Sequence, residues 1–284
     1  MICFHHNDLD GRCAAAIVNK WRRQREVEGQ RAVFVELDYK DRPPVKEICK
    51  DEQVVIVDFS FKPEVMQKVF EITDKIIWCD HHKTAADYNY GKELEGIRDF
   101  RDKQRAGCEV TWDYFFGHNP YPKAVFLTGD RDCWRWKGGQ ETAQFNQGMK
   151  LYDNSPESQF WSILLDEHNP DNKILLQDIC NQGQTCLLFR DSFCKDYADS
   201  YGFETEFDGY KAFALGIYMF GSEAFGEKFK QYPLCLSYVY DGRHWTVGLY
   251  SDEIDVGEIA RKHGGGGHKG AAGFVCDQLP FNKE

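Results

Sequence analysis

Four short apolar runs within the first 130 residues each stop abruptly at acidic or imidazole side chains, and that arrangement constrains the fold more than any other feature of the chain. Met1–Phe4 runs into His5-His6-Asn7-Asp8-Leu9-Asp10-Gly11, and VVIV (Val54–Val57) runs into Asp58. IIWC ends in Asp80-His81-His82, and AVFLTG in Asp130-Arg131-Asp132. Unbroken apolar or β-branched runs suit parallel strands buried on both faces, and open α/β sheets bind ligands beyond the carboxyl ends of their strands. These runs therefore predict one sheet edge that gathers at least four carboxylates and two imidazoles.

The segments between them fit that picture. Arg12 to about Glu28 predicts a helix, with Cys13, Ala16, Ile17 and Trp21 near one face. Ala32–Leu37 and Lys75–Cys79 read as strands, and Gln104–Phe116 and Pro122–Thr128 as helical packing elements. From Trp136 to Ala198 the texture is helical. Beyond Gly202, Lys211–Ile217, Leu234–Tyr240 and His244–Tyr250 predict strands, Asp241-Gly242 a hairpin turn, and Asp255–His263 a helix. The predicted class is α/β: a parallel-sheet domain over 1–135, a helical connector over 136–200, and a smaller α+β domain over 201–284. The active site is expected in the cleft between the domains.

With 284 residues, 42% of them hydrophobic, the chain can bury substantial cores, which excludes a disordered or low-complexity protein. Its formal net charge of -11 argues against coating a nucleic-acid duplex. An anionic substrate then requires bound cations to reverse the local field. No apolar run approaches the roughly 20 residues of a bilayer-spanning helix, and the start has no basic leader, so a cytoplasmic protein without a membrane partner is expected. The 11 cysteines include no C-x-x-C pair, which signals neither a disulfide framework nor a thiolate zinc site.

Carboxylates a few ångström apart repel, and at least one takes up a proton unless positive charge lies between them. Mixed Asp and His donors without thiolate suit Mn²⁺, Mg²⁺, Fe²⁺ or Zn²⁺. Six donors are too many for one catalytic ion that keeps an open position, so two ions sharing a carboxylate are expected. Such pairs activate water and stabilise attacking and leaving oxygens in phosphoryl transfer.

HNDLDG, the aspartate ending VVIVDFS, Asp80-His81-His82, the aspartate in TGDRDCW and the C-terminal GGGGHKGAAGF occur in that order along nearly the whole chain. Together they resemble the DHH phosphoesterase superfamily with its associated C-terminal domain, in particular its oligoribonuclease, nanoRNase and adenosine bisphosphate phosphatase branch. The resemblance implies a hydrolase with two divalent ions, manganese foremost. It implies that His6, Asp8 and Asp58 hold one ion and Asp10, Asp58, His81 and Asp130 the other, with His5 an open alternative to His6. Asp80 would orient a histidine, and His82 would contact phosphate or the leaving oxygen. Gly265, Gly266, Gly267, His268 and Lys269 would bind substrate. Asp132 reads instead as a partner of Arg131 or Arg135.

The implied substrates are short phosphoesters: short oligonucleotides, dinucleotides or nucleoside 3′,5′-bisphosphates. A single-strand exonuclease, a pyrophosphate or polyphosphate hydrolase, and a non-enzymatic nucleotide-binding sensor are the alternatives. A homodimer is left open. Residues 265–270 formally match a dinucleotide fingerprint, but they follow a predicted helix instead of a first strand, which that fingerprint requires. Trp134, Trp136, Tyr238, Tyr240 and Trp245 could stack a base, and Arg98, Arg101, Arg105 and Arg131 could bind a terminal phosphate.

Overall fold

A computed structural model describes residues 1–25, 32–101, 104–117, 120–218 and 220–282. It divides into two compact units, Met1–Cys186 and Leu187–Glu284. The first unit opens with β1 (Ile2–His6), α1 (Leu9–Gln24), β2 (Val33–Leu37), β3 (Val54–Val57), α2 (Pro63–Phe70) and β4 (Ile76–Cys79). Helices α3 (Gly107–Phe116), α4 (Lys123–Asp132), α5 (Gln140–Gly148) and α6 (Gln159–Leu164) follow, and α7 (Asn172–Tyr201) continues into the second unit. Residues 26–28 of the predicted first helix lie outside the described residues.

The strands form a parallel sheet in the order β2-β1-β3-β4, with Cys3 opposite Phe34 and Val55, and Val55 opposite Ile77. Alternate side chains enter two different cores. Cys3, Val55, Val57, Ile77 and Cys79 join Ile17 of α1 and Val110 of α3 on one face. Ile2, Phe4, Val54, Ile56, Ile76 and Trp78 join Met66 and Val69 of α2 on the other. Two buried faces explain why these runs show no polar alternation.

The helical reading of Pro122–Thr128 holds: AVFLTG, grouped above with the strand ends, lies in α4 and buries Ala124, Val125, Leu127 and Thr128, so it adds no strand to the sheet edge. The predicted connector over 136–200 is divided: Phe145, Met149, Trp161, Leu164 and Ile179 lie in the same core as Cys3 and Ile17. Its helical texture is real, but its apolar faces complete the first unit, and the break falls inside α7.

The second unit contains β5 (Phe203–Phe207), β6 (Tyr210–Leu215), α8 (Lys228–Gln231), β7 (Leu234–Tyr240), β8 (Trp245–Tyr250), α9 (Val256–Lys262), β9 (Gly266–His268) and β10 (Ala271–Cys276). Its six strands run in the order β5-β6-β7-β8-β10-β9. The β7–β8 turn is fixed by Asp241 Oδ1, which accepts from the amides of Arg243 at 2.7 Å and His244 at 2.8 Å. Asp255 caps α9 by accepting from Glu258 N. Among the described residues no helix is long and apolar enough to cross a membrane, and all eleven cysteines are unpaired.

Candidate metal centre

The centre is assembled where β1, β3 and β4 end. After β1 the chain turns at Asp8, the N-cap of α1, whose Oδ1 accepts from Gly11 N at 2.9 Å. Its Oδ2 accepts from His6 Nδ1 at 2.8 Å. Gly11 is required by close approach, because a Cβ there would lie 2.4 Å from the His6 carbonyl oxygen. Asp10 turns toward the start of α3 and accepts from the amides of Gly107 at 2.7 Å and Cys108 at 3.0 Å. The positive end of a helix suits a carboxylate there.

Asp58 follows β3 in a left-handed conformation, φ 50°, an uncommon one for a residue with a Cβ. Its amide donates to the Cys79 carbonyl at 2.9 Å, which ties β3 to β4 at this edge. A Cβ at Gly107 would stand 2.4 Å from Asp58 Oδ1, so glycine alone leaves room for the carboxylate. Asp58 is 1% exposed, and neither of its oxygens has a hydrogen-bond partner. Burial, followed by the charges of Asp10, Asp8, Asp132 and Asp80, pushes its pKa well above the usual carboxylate range.

Asp80 is fully buried but satisfied. Its Oδ1 accepts from the amides of His81 at 2.8 Å and His82 at 3.2 Å and from His82 Nδ1 at 2.8 Å, while Oδ2 accepts from Ser60 Oγ. Burial alone would raise its pKa, but His82, Ser60 and His81 bring it below the ordinary value. His81 Nε2 has no hydrogen-bond partner and lies 3.1 Å from Asp58 Oδ1, 3.5 Å from Asp132 Oδ2 and 3.6 Å from Asp10 Oδ2. Burial pulls the His81 pKa down, yet Cys133, Asp10, Asp132 and Asp80 drive it up to about 10. Burial and the Asp10 charge push Asp132 up to about 7. Burial alone would raise the Asp8 pKa, but the His6 hydrogen bond and charge, the Gly11 amide and the His82 charge together bring it down to about 2.

His6 Nδ1 also stands 3.9 Å from Asp58 Oδ2. Three overlapping sets result, each with its donor atoms within 4.8 Å of one another: His6, Asp8 and Asp58; Asp58, His81 and His82; His81, Asp132 and Cys133. Two unpartnered carboxylate oxygens and an unpartnered imidazole nitrogen, all buried, are an expensive arrangement without a cation. The donor set fits divalent ions, with Asp58 common to two of the three sets.

The structure sorts the remaining predicted residues. His5 is 1% exposed with Nδ1 against the His6 carbonyl at 2.8 Å, so of the two it is His6 that meets Asp8 and Asp58. Asp130 is not brought to the cluster. It accepts from the amides of Lys137 and Gly138, both at 2.9 Å, and from Thr142 Oγ1 at 2.6 Å, fixing the turn after α4. Asp132 stands beside His81 instead, for a reason of periodicity. Two residues along a strand share a face, but two residues along a helix point about 200° apart. Cys133 also joins this corner, and sequence offered no signal for it beyond adjacency to Asp132. Arg101 and Arg105 pair with Asp99, each at 2.7 Å, and Arg98 donates to the carbonyls of Leu94 and Gly96.

In the second unit Gly265 N donates to the Ala260 carbonyl, and Gly266–His268 pair with Ala271–Gly273 as the edge strand β9. Gly266, Gly267, His268 and Lys269 are exposed.

A parallel sheet with acidic and imidazole side chains crowded at its carboxyl edge defines an α/β protein built around a metal-competent cluster. No family model matches the chain. An uncharacterized protein of Acanthamoeba polyphaga mimivirus is 26% identical over 250 residues, which cover 82% of this chain and 56% of that protein. The chain thus spans little more than half the length of this curated relative. Among solved structures, the DHH domain of a protein assigned to a family of ribosomal proteins matches at TM-score 0.63 and 14% identity, over 97% of this chain and 82% of that one. A pGpG-specific phosphodiesterase, PggH from Vibrio cholerae, matches at TM-score 0.55 and 13% identity, over 97% and 92%. RecJ from Thermus thermophilus in complex with Mn²⁺ matches at 0.51 and 15%, over 97% and 49%. The chain has the fold of the DHH-domain proteins.

Proposed function

We propose that this protein is a phosphoesterase dependent on two divalent ions, Mn²⁺ first among them, which hydrolyses short phosphoesters: short oligonucleotides, dinucleotides or nucleoside 3′,5′-bisphosphates. The observation that carries the reading is the buried Asp58 carboxylate, unpartnered at both oxygens and facing His81, His82, His6 and Asp8. The fold shared with a pGpG-specific phosphodiesterase and with Mn²⁺-bound RecJ supports it.

In this reading His6, Asp8 and Asp58 hold one ion, and Asp10, Asp58, His81 and Asp132 hold the other. Bound there, the cations would lower the pKa of a water and offset charge on the phosphoryl oxygens. Asp80 accepts from His82 Nδ1, so proton transfer by His82 runs through Nε2, to the leaving oxygen. Burial of Asp10 and Asp58 keeps bulk water from screening their charges. Gly265, Gly266, Gly267, His268 and Lys269 are proposed to bind the substrate through backbone amides and two side chains.

The test is a panel of dinucleotides, adenosine bisphosphate, cyclic dinucleotides, single-stranded DNA and pyrophosphate, each with Mn²⁺, Mg²⁺ or chelator. Release of mononucleotide or nucleoside monophosphate that chelator abolishes is the expected result. Turnover of pyrophosphate alone, or tight dinucleotide binding without cleavage, would replace this reading.

A further inference from the structure

Helix α4 ends in a paired-bond turn whose key position is normally glycine. Trp134 N donates to the Arg131 carbonyl at 3.1 Å and Arg135 N to the Asp130 carbonyl at 2.9 Å, the two bonds of a Schellman motif. That motif places its next residue after the cap in the left-handed region, where a Cβ is penalised. Here the residue is Trp134, φ 52°, and Trp136 repeats the anomaly at φ 55°. Trp134 is 51% exposed and Trp136 37%, so neither strained indole is returned to the core in compensation. Strain kept without a packing reward concentrates at functional sites.

What the two residues supply is exposed aromatic surface two and four positions along the chain from Asp132. Trp134 stands two residues after Asp132, the carboxylate facing His81 at 3.5 Å. The indoles meet edge-on, centroids 5.6 Å apart at 75°, and the Arg131 guanidinium lies 4.2 Å from the Trp134 centroid and 5.2 Å from that of Trp136. The cation braces both rings.

We propose that Trp134, Trp136 and Arg131 form a stacking platform for a nucleobase of the phosphoester substrate, selecting nucleotides over inorganic phosphoanhydrides. The inference rests on the phosphoester reading above and narrows its substrate to a base-bearing one. Every base has a π-face, so a platform of this kind accepts any of them.

Trp134→Gly tests it, because glycine relieves the backbone strain and removes the indole together. The experiment compares kcat/KM for a dinucleotide and for its abasic analogue, alongside thermal melting of both proteins. Wild type is expected to prefer the dinucleotide by about tenfold. Trp134→Gly should bring that preference near one, with a melting temperature within about 3 °C of wild type. A preference that survives the substitution, a wild type with none, or a melting temperature lowered further would overturn the proposal, the last by making Trp134 a packing residue. If wild type cleaves neither substrate, the phosphoester reading falls, and a Mg²⁺-containing titration with a non-hydrolysable dinucleotide still decides the platform. Tryptophan fluorescence quenched in wild type and not in Trp134→Gly upholds it; equal quenching, or none, overturns it.

Discussion

His81 Nε2 lies 3.1 Å from Asp58 Oδ1, yet neither atom makes a hydrogen bond to the other or to any neighbour. Two donors bound to one ion at about 2.1 Å stand about 3 Å apart when their bonds meet at right angles. The pair is thus spaced to share a cation rather than to bond directly. Asp58→Ala or His81→Ala should lower phosphoester hydrolysis by at least about a hundredfold while circular dichroism stays native. Asp58→Asn should also raise the melting temperature of metal-free protein, because it removes a buried carboxylate from among four others.

Asp130 and Asp132 should separate cleanly in experiment. Asp132→Ala is expected to weaken Mn²⁺ binding by about tenfold or more and to leave the metal-free fold as stable as wild type. Asp130→Ala removes the acceptor of three hydrogen bonds at 2.6 to 2.9 Å and should cost about 2 to 4 kcal/mol of stability by urea denaturation. Loss of metal binding in Asp130→Ala with unchanged stability would reverse these roles.

Metal binding should release protons. Burial and Asp10 hold Asp132 up to about 7, and Cys133 with the Asp10, Asp132 and Asp80 carboxylates holds His81 up to about 10 against burial, so near pH 6.5 both groups retain protons that a cation must displace. Calorimetric titration with Mn²⁺ in two buffers of different ionisation enthalpy should report about one to two protons released. The sign follows: affinity falls as the pH drops below about 10, where His81 gains its proton, and more steeply below about 7, where Asp132 gains one as well. A pH-independent affinity would mean that the cations bind elsewhere.

Arg135 is held by Glu109 through bonds of 2.7 and 3.0 Å, and the Glu109 side chain is almost completely buried. Burial already raises the Glu109 pKa, and the Arg135 charge opposes it. Arg135→Leu strands that carboxylate and should cost about 3 to 5 kcal/mol. Adding Glu109→Leu should recover much of the loss, as measured by chemical denaturation.

The strand ends were legible because a parallel sheet buries both faces: Val54–Val57 had no residue free to be polar until Asp58. Asp58, Asp80, His81 and the HNDLDG residues were readable for the same reason, as polar groups standing where burial stops. Asp132 was not, since two positions along a helix point about 200° apart and the sequence alone does not say whether Asp130 or Asp132 faces the sheet edge. Helical texture over 136–200 says nothing about which core a helix completes, so the packing of α5 and α6 into the first unit is not readable from it. Gly107 escaped notice because its function, leaving space for Asp58, is a contact between residues far apart in the chain. The left-handed tryptophans are invisible to propensity, which predicts glycine at such a position.

The most direct measurement is anomalous diffraction at the manganese edge from crystals of this protein soaked in Mn²⁺. Two peaks are predicted about 3.5 to 4 Å apart, each about 2.2 Å from an Asp58 oxygen, with His81 and Asp132 on one and His6 and Asp8 on the other. A map without anomalous density beside Asp58, from crystals whose cluster side chains are ordered, would contradict the assignment of this site as a dinuclear metal centre.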